Sequence, residues 1–181
     1  MLTRYHAGLA LAGALFSAAT AAAQSSPRPP AAAEFFAGHA GFVDDALINH
    51  AVLGAGARVY LTPRLGVGPE IVYMRGPGDD HDLFVTGNLT FDFLPARAEA
   101  RALRGAVHPP RVSPFLVAGG GLFRHSDRFG PQSFSSVEGA FTAGGGSRFW
   151  LSDRAYAVVD FRIGWELHHR LNGGVGIALG H

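Results

Sequence analysis

From residue 34 onward, apolar and polar residues alternate with period two, and the alternation is broken by turn signals rather than by helical spacing. Alternation of this kind is the signature of strands that offer different faces to different surroundings. Eight such segments are expected, at roughly 34–43, 49–61, 65–75, 82–94, 113–124, 136–151, 155–166 and 169–181. Each is near or above the roughly 9–11 residues that a tilted strand needs to cross a bilayer. They are also long by the standard of soluble sheets, where about five or six residues is usual.

The faces sort by chemistry. In the second segment Leu53, Ala55, Ala57, Val59 and Leu61 share one face, and Arg58 and Tyr60 lie on the other. In the third, Leu65, Val67, Ile71 and Tyr73 oppose Glu70; in the fourth, Leu83, Val85, Leu89, Phe91 and Phe93 oppose Asp92 with Thr86, Asn88 and Thr90. The sixth opposes Val137, Phe141 and Phe149 to Glu138 and Arg148, and the seventh opposes Val159, Phe161, Ile163 and Trp165 to Asp160, Arg162 and Glu166. The last opposes Leu171, Val175, Ile177 and Leu179 to Arg170. Nearly every charge within a segment thus falls on one parity, with Arg75, at a segment end, as the exception. Aromatic residues gather toward segment ends: Tyr60, Phe91, Phe93, Phe115 and Phe149 at one, Tyr73, Phe123 and Trp165 at the other. A soluble lipocalin-like barrel also alternates, but the segment lengths, the glycine-rich charge-balanced polar face and the aromatic ends favour a barrel whose apolar side meets lipid.

The N-terminal residues point the same way. Arg4, the apolar run Gly8–Phe16 and the small residues ending at Ala21-Ala22-Ala23 make an export signal over 1–23. Residues 24–33, with their prolines and small polar residues, read as an extended tether, leaving 34–181 as the barrel. The tight turns Leu61-Thr62-Pro63-Arg64 and Leu151-Ser152-Asp153-Arg154 belong on the periplasmic side, with the other turns and the 124–134 segment outside. The long connection 95–112 falls on the periplasmic side as well, where turns are normally short.

Composition adds three constraints. Hydrophobic residues make up 48% of the chain and charged ones only 16%, yet no stretch after the leader is a spanning helix. Cysteine is absent, which removes disulfides, thiolate metal sites and a lipid-modified N-terminal cysteine. All 15 basic residues are arginine against 14 acids, so no basic excess invites nucleic acid.

The stretches 61–70 (LTPRLGVGPE), 113–122 (SPFLVAGGGL) and 173–181 (GGVGIALGH) resemble the small OmpA/OmpX/OmpW-like outer-membrane β-barrel superfamily, and the resemblance covers about 34–181. It implies an all-β, eight-stranded, antiparallel, up-and-down transmembrane barrel, placed in the outer membrane by the insertion machinery. No shared activity is implied. Barrels of this kind often end in phenylalanine, whereas this chain ends Leu179-Gly180-His181.

Candidate chemistry falls into three groups. The charges Arg58, Glu70, Asp92, Glu138, Arg148, Asp160, Arg162, Glu166 and Arg170 are expected to face the lumen. Hairpin geometry pairs Arg58 with Glu70, Arg148 with Asp160 and Glu166 with Arg170, as a charge zipper rather than a solute path, because eight strands leave a bore that side chains fill. The second group, His50, His81, Asp82, His125, His168 and His169, gathers at the outer ends beside Asp79, Asp80 and Asp127. Imidazole and carboxylate suit zinc, copper or nickel, although no His-x₃₋₅-His spacing occurs and solvated loop polarity is the simpler expectation. Third, His125 and Ser126 are adjacent, so a strand points them to opposite faces and a serine–histidine couple fails its geometry. The expected protein is non-enzymatic and monomeric, without a cofactor and with outer-membrane lipids as its main partners. Its expected role is structural or surface contact; a narrow solute path is the alternative and lipid A chemistry the third reading.

Overall fold

The computed structural model describes residues 31–43, 47–94, 111–129, 132–152, 154–165 and 168–179. The export signal, most of the tether and the 95–110 part of the long connection lie outside these residues. Eight strands form: β1 (Ala31–Val43), β2 (Leu47–Tyr60), β3 (Leu65–Arg75), β4 (His81–Asp92), β5 (Val112–Phe129), β6 (Gln132–Trp150), β7 (Ala155–Gly164) and β8 (His169–Leu179). Each pairs antiparallel with its chain neighbour, and β1 closes on β8, so the sheet is a barrel without a free edge. Closure satisfies the backbone groups that an open edge would leave unpaired in lipid.

The expected all-β, eight-stranded antiparallel up-and-down barrel is therefore the observed fold. Most strand ends lie within two residues of the expected ones, and at two places the shift is larger. β1 starts at Ala31 rather than 34, because Ala31, Ala32 and Ala33 pair with Val59, Arg58 and Ala57 on one side and with Leu179, Ala178 and Ile177 on the other. The 124–134 segment, expected as a loop, continues the ladder from Arg124↔Val137 to Phe129↔Gln132. β7 ends at Gly164, opposite Thr142, and β4 begins at His81, opposite Ser126. The β5–β6 hairpin therefore projects past both neighbouring strands.

The two expected tight turns are built alike. In the first, Leu61 N–H and Thr62 N–H donate to the Leu65 carbonyl at 2.8 and 3.2 Å, and Thr62 Oγ1 accepts from Arg64 and Leu65 N–H. In the second, Leu151 and Ser152 N–H donate to the Ala155 carbonyl at 3.0 and 3.1 Å, and Ser152 Oγ accepts from Arg154 and Ala155 N–H. A hydroxyl one residue into each turn thus takes up backbone donors that the ladder leaves free.

The outward wall is apolar: Phe35, Leu53, Ile71, Val85, Leu116, Leu122, Phe161, Ile163, Val175 and Ile177 are all about half or more exposed. The core lies inside the barrel and has two apolar clusters. One, toward the end remote from the termini, gathers Phe36, Phe42, Val52, Val72, Met74, Phe84 and Phe123. The other, toward the terminal end, gathers Ala32, Phe115, Val117, Tyr156 and Val158. Phe115 and Phe123, expected in the aromatic girdles, thus point inward, and Tyr60 turns its hydroxyl to the lumenal Asp92. Phe91, Phe93 and Phe149 at one end and Tyr73 at the other do face out.

Candidate functional site

Two groups of side chains carry chemistry: the charges inside the barrel and a cluster at its remote mouth.

The interior charges form two separate networks. In the first, Glu34 on β1 accepts from Arg58 of β2 at 2.7 Å, from Arg148 of β6 at 3.2 Å and from the Tyr156 hydroxyl of β7 at 2.8 Å. Arg148 also reaches Asp92 of β4 at 2.5 Å, and the Tyr60 hydroxyl donates to the same carboxylate at 2.6 Å. The Arg148 guanidinium lies 4.0 Å from the Phe115 ring centroid, an arrangement in which the ring face attracts the cation. In the second network, Glu70 of β3 holds Arg162 of β7 at 2.8 Å and Arg170 of β8 at 2.7 Å, while Asp160 accepts from Arg162 at 2.8 Å and from Asn172 at 2.7 Å.

Each network contains two carboxylates and two guanidiniums and is neutral. That balance has a physical reason, since an unpaired buried charge costs several kcal/mol. Glycines make the room. A Cβ on Gly66 would lie 2.6 Å from Arg58 Cδ, and one on Gly176 would lie 2.2 Å from the Tyr156 ring. Between the networks remains a small polar space lined by Glu34, Arg58, Glu70, Asn88, Thr90 and Arg162. That holds about one water molecule.

Arg58, Glu70, Asp92, Arg148, Asp160, Arg162 and Arg170 are therefore all lumenal and buried, as their parity predicts. Their partners are not those expected. Arg58 pairs with Glu34, not Glu70, and Arg148 pairs with Glu34 and Asp92, not Asp160. Arg58 takes its partner from the strand on its other side, β1, whereas Arg148, Arg162 and Arg170 are long enough to reach acids on non-neighbouring strands across the narrow bore. Glu138 is a correction of another kind: it is exposed and accepts from Trp165 Nε1 at 3.2 Å. It has lumenal parity, but it sits on the part of β6 beyond the end of β7, where that face meets solvent. Glu166, and with it the expected Glu166–Arg170 pair, lies outside the described residues. Glu34, Tyr60, Tyr156 and Asn172 were not among the expected lumenal charges and partners. In β1 both parities carry apolar residues (Phe35 outward, Phe36 inward), so its inner face was not legible.

At the mouth, the turn 76–80 closes through hydrogen bonds from Gly76 N–H to the Asp80 carbonyl at 3.0 Å and from Asp80 N–H to the Pro77 carbonyl at 3.3 Å. Gly78, at φ +68°, takes the left-handed conformation that this bend requires. The turn delivers Asp80 to His50 of β2, whose Nε2 lies 2.8 Å from Asp80 Oδ2 and 3.3 Å from Asp82 Oδ2. His125, register partner of Asp82, places Nδ1 2.7 Å from Asp82 Oδ1. Of the six expected rim residues, His50, Asp82 and His125 meet, joined by Asp80. His81 does not take part; its Nδ1 faces the Asp79 carbonyl at 2.8 Å in an exposed position. His169 lies at the same end of the barrel but packs against His39 and Phe161 on the outer wall. His168 is buried against Phe42 and Phe84 with Nδ1 2.5 Å from the Trp165 carbonyl. Burial holds its pKa below the ordinary histidine value, against the opposing effect of that carbonyl. His125 and Ser126 do point apart, the first to Asp82 and the second to Ser135.

Comparison with solved structures fixes what kind of barrel this is. The chain superposes on Neisserial surface protein A with a TM-score of 0.64 at 12% identity, covering 82% of this chain and 96% of that one. On the N-terminal β-barrel domain of OprF from Pseudomonas aeruginosa the score is 0.59 at 13% identity, covering 83% and 98%. On Ail, the attachment invasion locus protein of Yersinia pestis, it is 0.59 at 13% identity, covering 83% and 99%. The fold is that of the small outer-membrane β-barrels. Those chains are matched almost end to end, and the match takes in 82–83% of this chain. No family model matches the chain, and no curated protein matches it.

Proposed function

We propose that this chain is a lipid-embedded, non-enzymatic outer-membrane barrel with a closed lumen, whose role is structural and surface contact rather than transport. The observation that carries the reading is the inversion of solvents. The outer wall of leucine, valine, isoleucine and phenylalanine is exposed, whereas the charged residues are buried inside as neutral networks. In water that arrangement leaves a large apolar surface wet; in a bilayer both faces are satisfied. Support against a solute path comes from the interior, where apolar clusters flank the charges and the room between them takes about one water. Support for surface contact comes from the projecting β5–β6 hairpin, which carries the exposed Phe134 and Val137. Two of the proteins with this fold are named for such places, a surface protein and an attachment invasion locus protein. On this reading both termini face the periplasm, the hairpin and the histidine-bearing mouth face outward, the partners are outer-membrane lipids, and the barrel is a monomer delivered by the insertion machinery.

The reading is tested on the lipid face. Ile71→Arg, at mid-wall between Ala55 and Val85, is expected to destabilise the protein in lipid vesicles by about 2–4 kcal/mol. The wild type should cofractionate with outer membranes, migrate differently on gels before and after boiling, and give no conductance in planar bilayers. Recovery from the periplasm without detergent, with a tolerated arginine at position 71, would overturn it.

A further inference from the structure

The four side chains at the mouth converge from four places: His50 from β2, Asp80 from the turn 76–80, Asp82 from the start of β4 and His125 from β5. Each imidazole nitrogen faces both carboxylates. His50 Nε2 is 2.8 Å from Asp80 Oδ2 and 3.3 Å from Asp82 Oδ2; His125 Nδ1 is 2.7 Å from Asp82 Oδ1 and 3.7 Å from Asp80 Oδ1. Ligand atoms about 2.0–2.1 Å from a tetrahedral zinc ion stand about 3.3 Å apart. His50 Nε2, Asp80 and Asp82 supply donor atoms that all lie within 4.8 Å of one another, whereas His125 holds Asp82 through its other oxygen, Oδ1. We propose that His50, Asp80 and Asp82 form a binding site for a divalent transition-metal ion of the zinc class, with His125 positioning the Asp82 carboxylate.

Three further features point to a cation here. Asp80 Oδ1 is buried and makes no hydrogen bond, which is costly for a carboxylate oxygen that an ion would satisfy. Gly76 opens the space, since a Cβ there would lie 2.2 Å from Asp80 Oδ2 and 2.6 Å from His50 Nε2. The ion-pair partners of both carboxylates are imidazoles, which are neutral when they bind metal, so two negative charges remain for a dication to balance. The donor set also selects the ion: calcium and magnesium favour oxygen alone, whereas imidazole with carboxylate suits zinc, nickel and copper. His50 is oriented for the task, because its other nitrogen, Nδ1, approaches the Ile48 carbonyl at 3.4 Å, leaving the Nε2 lone pair to the site.

The test uses the full chain folded in detergent, titrated with zinc sulfate by calorimetry and with cobalt(II) by visible absorption. One saturable zinc per chain is expected, with cobalt bands of tetrahedral intensity. Asp80→Asn and His125→Ala should each weaken zinc binding at least about tenfold. Gly76→Ala, which keeps every donor, should weaken it as well. His81→Ala and His169→Ala should leave it unchanged. Boiled and unboiled gel mobility confirms that each variant is folded, and only folded variants are compared. Absence of saturable binding by the folded wild type overturns the proposal, and so does binding that survives Asp80→Asn and His125→Ala or that disappears with His81→Ala. Neither result touches the barrel reading, which rests on fractionation and conductance.

Discussion

The barrel interior and its mouth are built from the same kinds of charge but balanced in opposite ways. Inside, each network sets two carboxylates against two guanidiniums, whose charge does not depend on pH in any ordinary range. At the mouth, two carboxylates face two imidazoles, which carry charge only when protonated. The interior is thus locked, whereas the mouth can exchange protons or accept a cation. The difference follows from surroundings. A lumen walled by strands and capped by apolar side chains tolerates no lasting charge, whereas at the mouth Asp80 and His125 keep partial access to solvent.

The largest expected effect breaks the interior balance. Arg148, 1% exposed, touches both acids of the first network, so Arg148→Ala should destabilise the folded barrel by about 3–5 kcal/mol in detergent unfolding. Asp80→Asn at the mouth should change the same measurement by less than that, because its partners are imidazoles rather than fixed guanidinium charges. Equal losses for the two would abolish the distinction between locked and exchangeable regions.

A finer cut asks whether the interior is two networks or one. Glu34→Ala with Arg58→Ala should couple by about 1–3 kcal/mol in a double-mutant cycle. Arg58→Ala with Glu70→Ala should be additive within about 0.5 kcal/mol, because those residues have separate partners. Strong coupling in the second cycle would merge the networks.

Packing offers a comparable test. Gly176→Ala would drive a methyl group into the Tyr156 ring that donates to Glu34, and about 1–3 kcal/mol should be lost. An unchanged unfolding midpoint would show that the ring moves aside freely.

The smallest effect concerns pH and separates the two regions by their response to protons. His168 is buried, with Arg170, His169 and His50 near enough to disfavour its charged form, and its folded pKa lies below 6.5. The unfolded chain therefore takes up a proton there first. The associated stability is complete above about pH 6.5 and is lost as pH falls toward the folded value. Unfolding followed from pH 7 to 5 should show that decline, and His168→Phe should reduce it. A decline of the same size in the variant would assign it elsewhere.

The fold was largely legible because a membrane barrel writes its solvents into alternate residues. Leu53 against Arg58, or Val159 against Asp160, reveals which side meets lipid without any long-range information. The matching turns at Thr62 and Ser152 were equally local. The interior partners were not legible. Glu34 went unrecognised because Phe35 and Phe36 erase the contrast between faces, so Arg58 was assigned to Glu70 in the following hairpin and not to Glu34 in the preceding one. At the mouth, the histidines marked a region but not a site. His81 and Asp82 are adjacent, yet strand geometry sends them to opposite faces, and Asp80 joins the cluster only through the bend at Gly78.

Sequence alone determined the eight strands, their tight turns and which parity faces outward, since these follow from the period of the backbone and the segregation of apolar from charged residues. Only the closed tertiary structure decided who pairs with whom inside and which donors converge at the mouth. Closure brings β1 against β8 and sets Glu34 within reach of Arg148, residues 114 positions apart in the chain. Contacts across a lumen depend on barrel diameter and side-chain reach, and neither is written in any local stretch of residues.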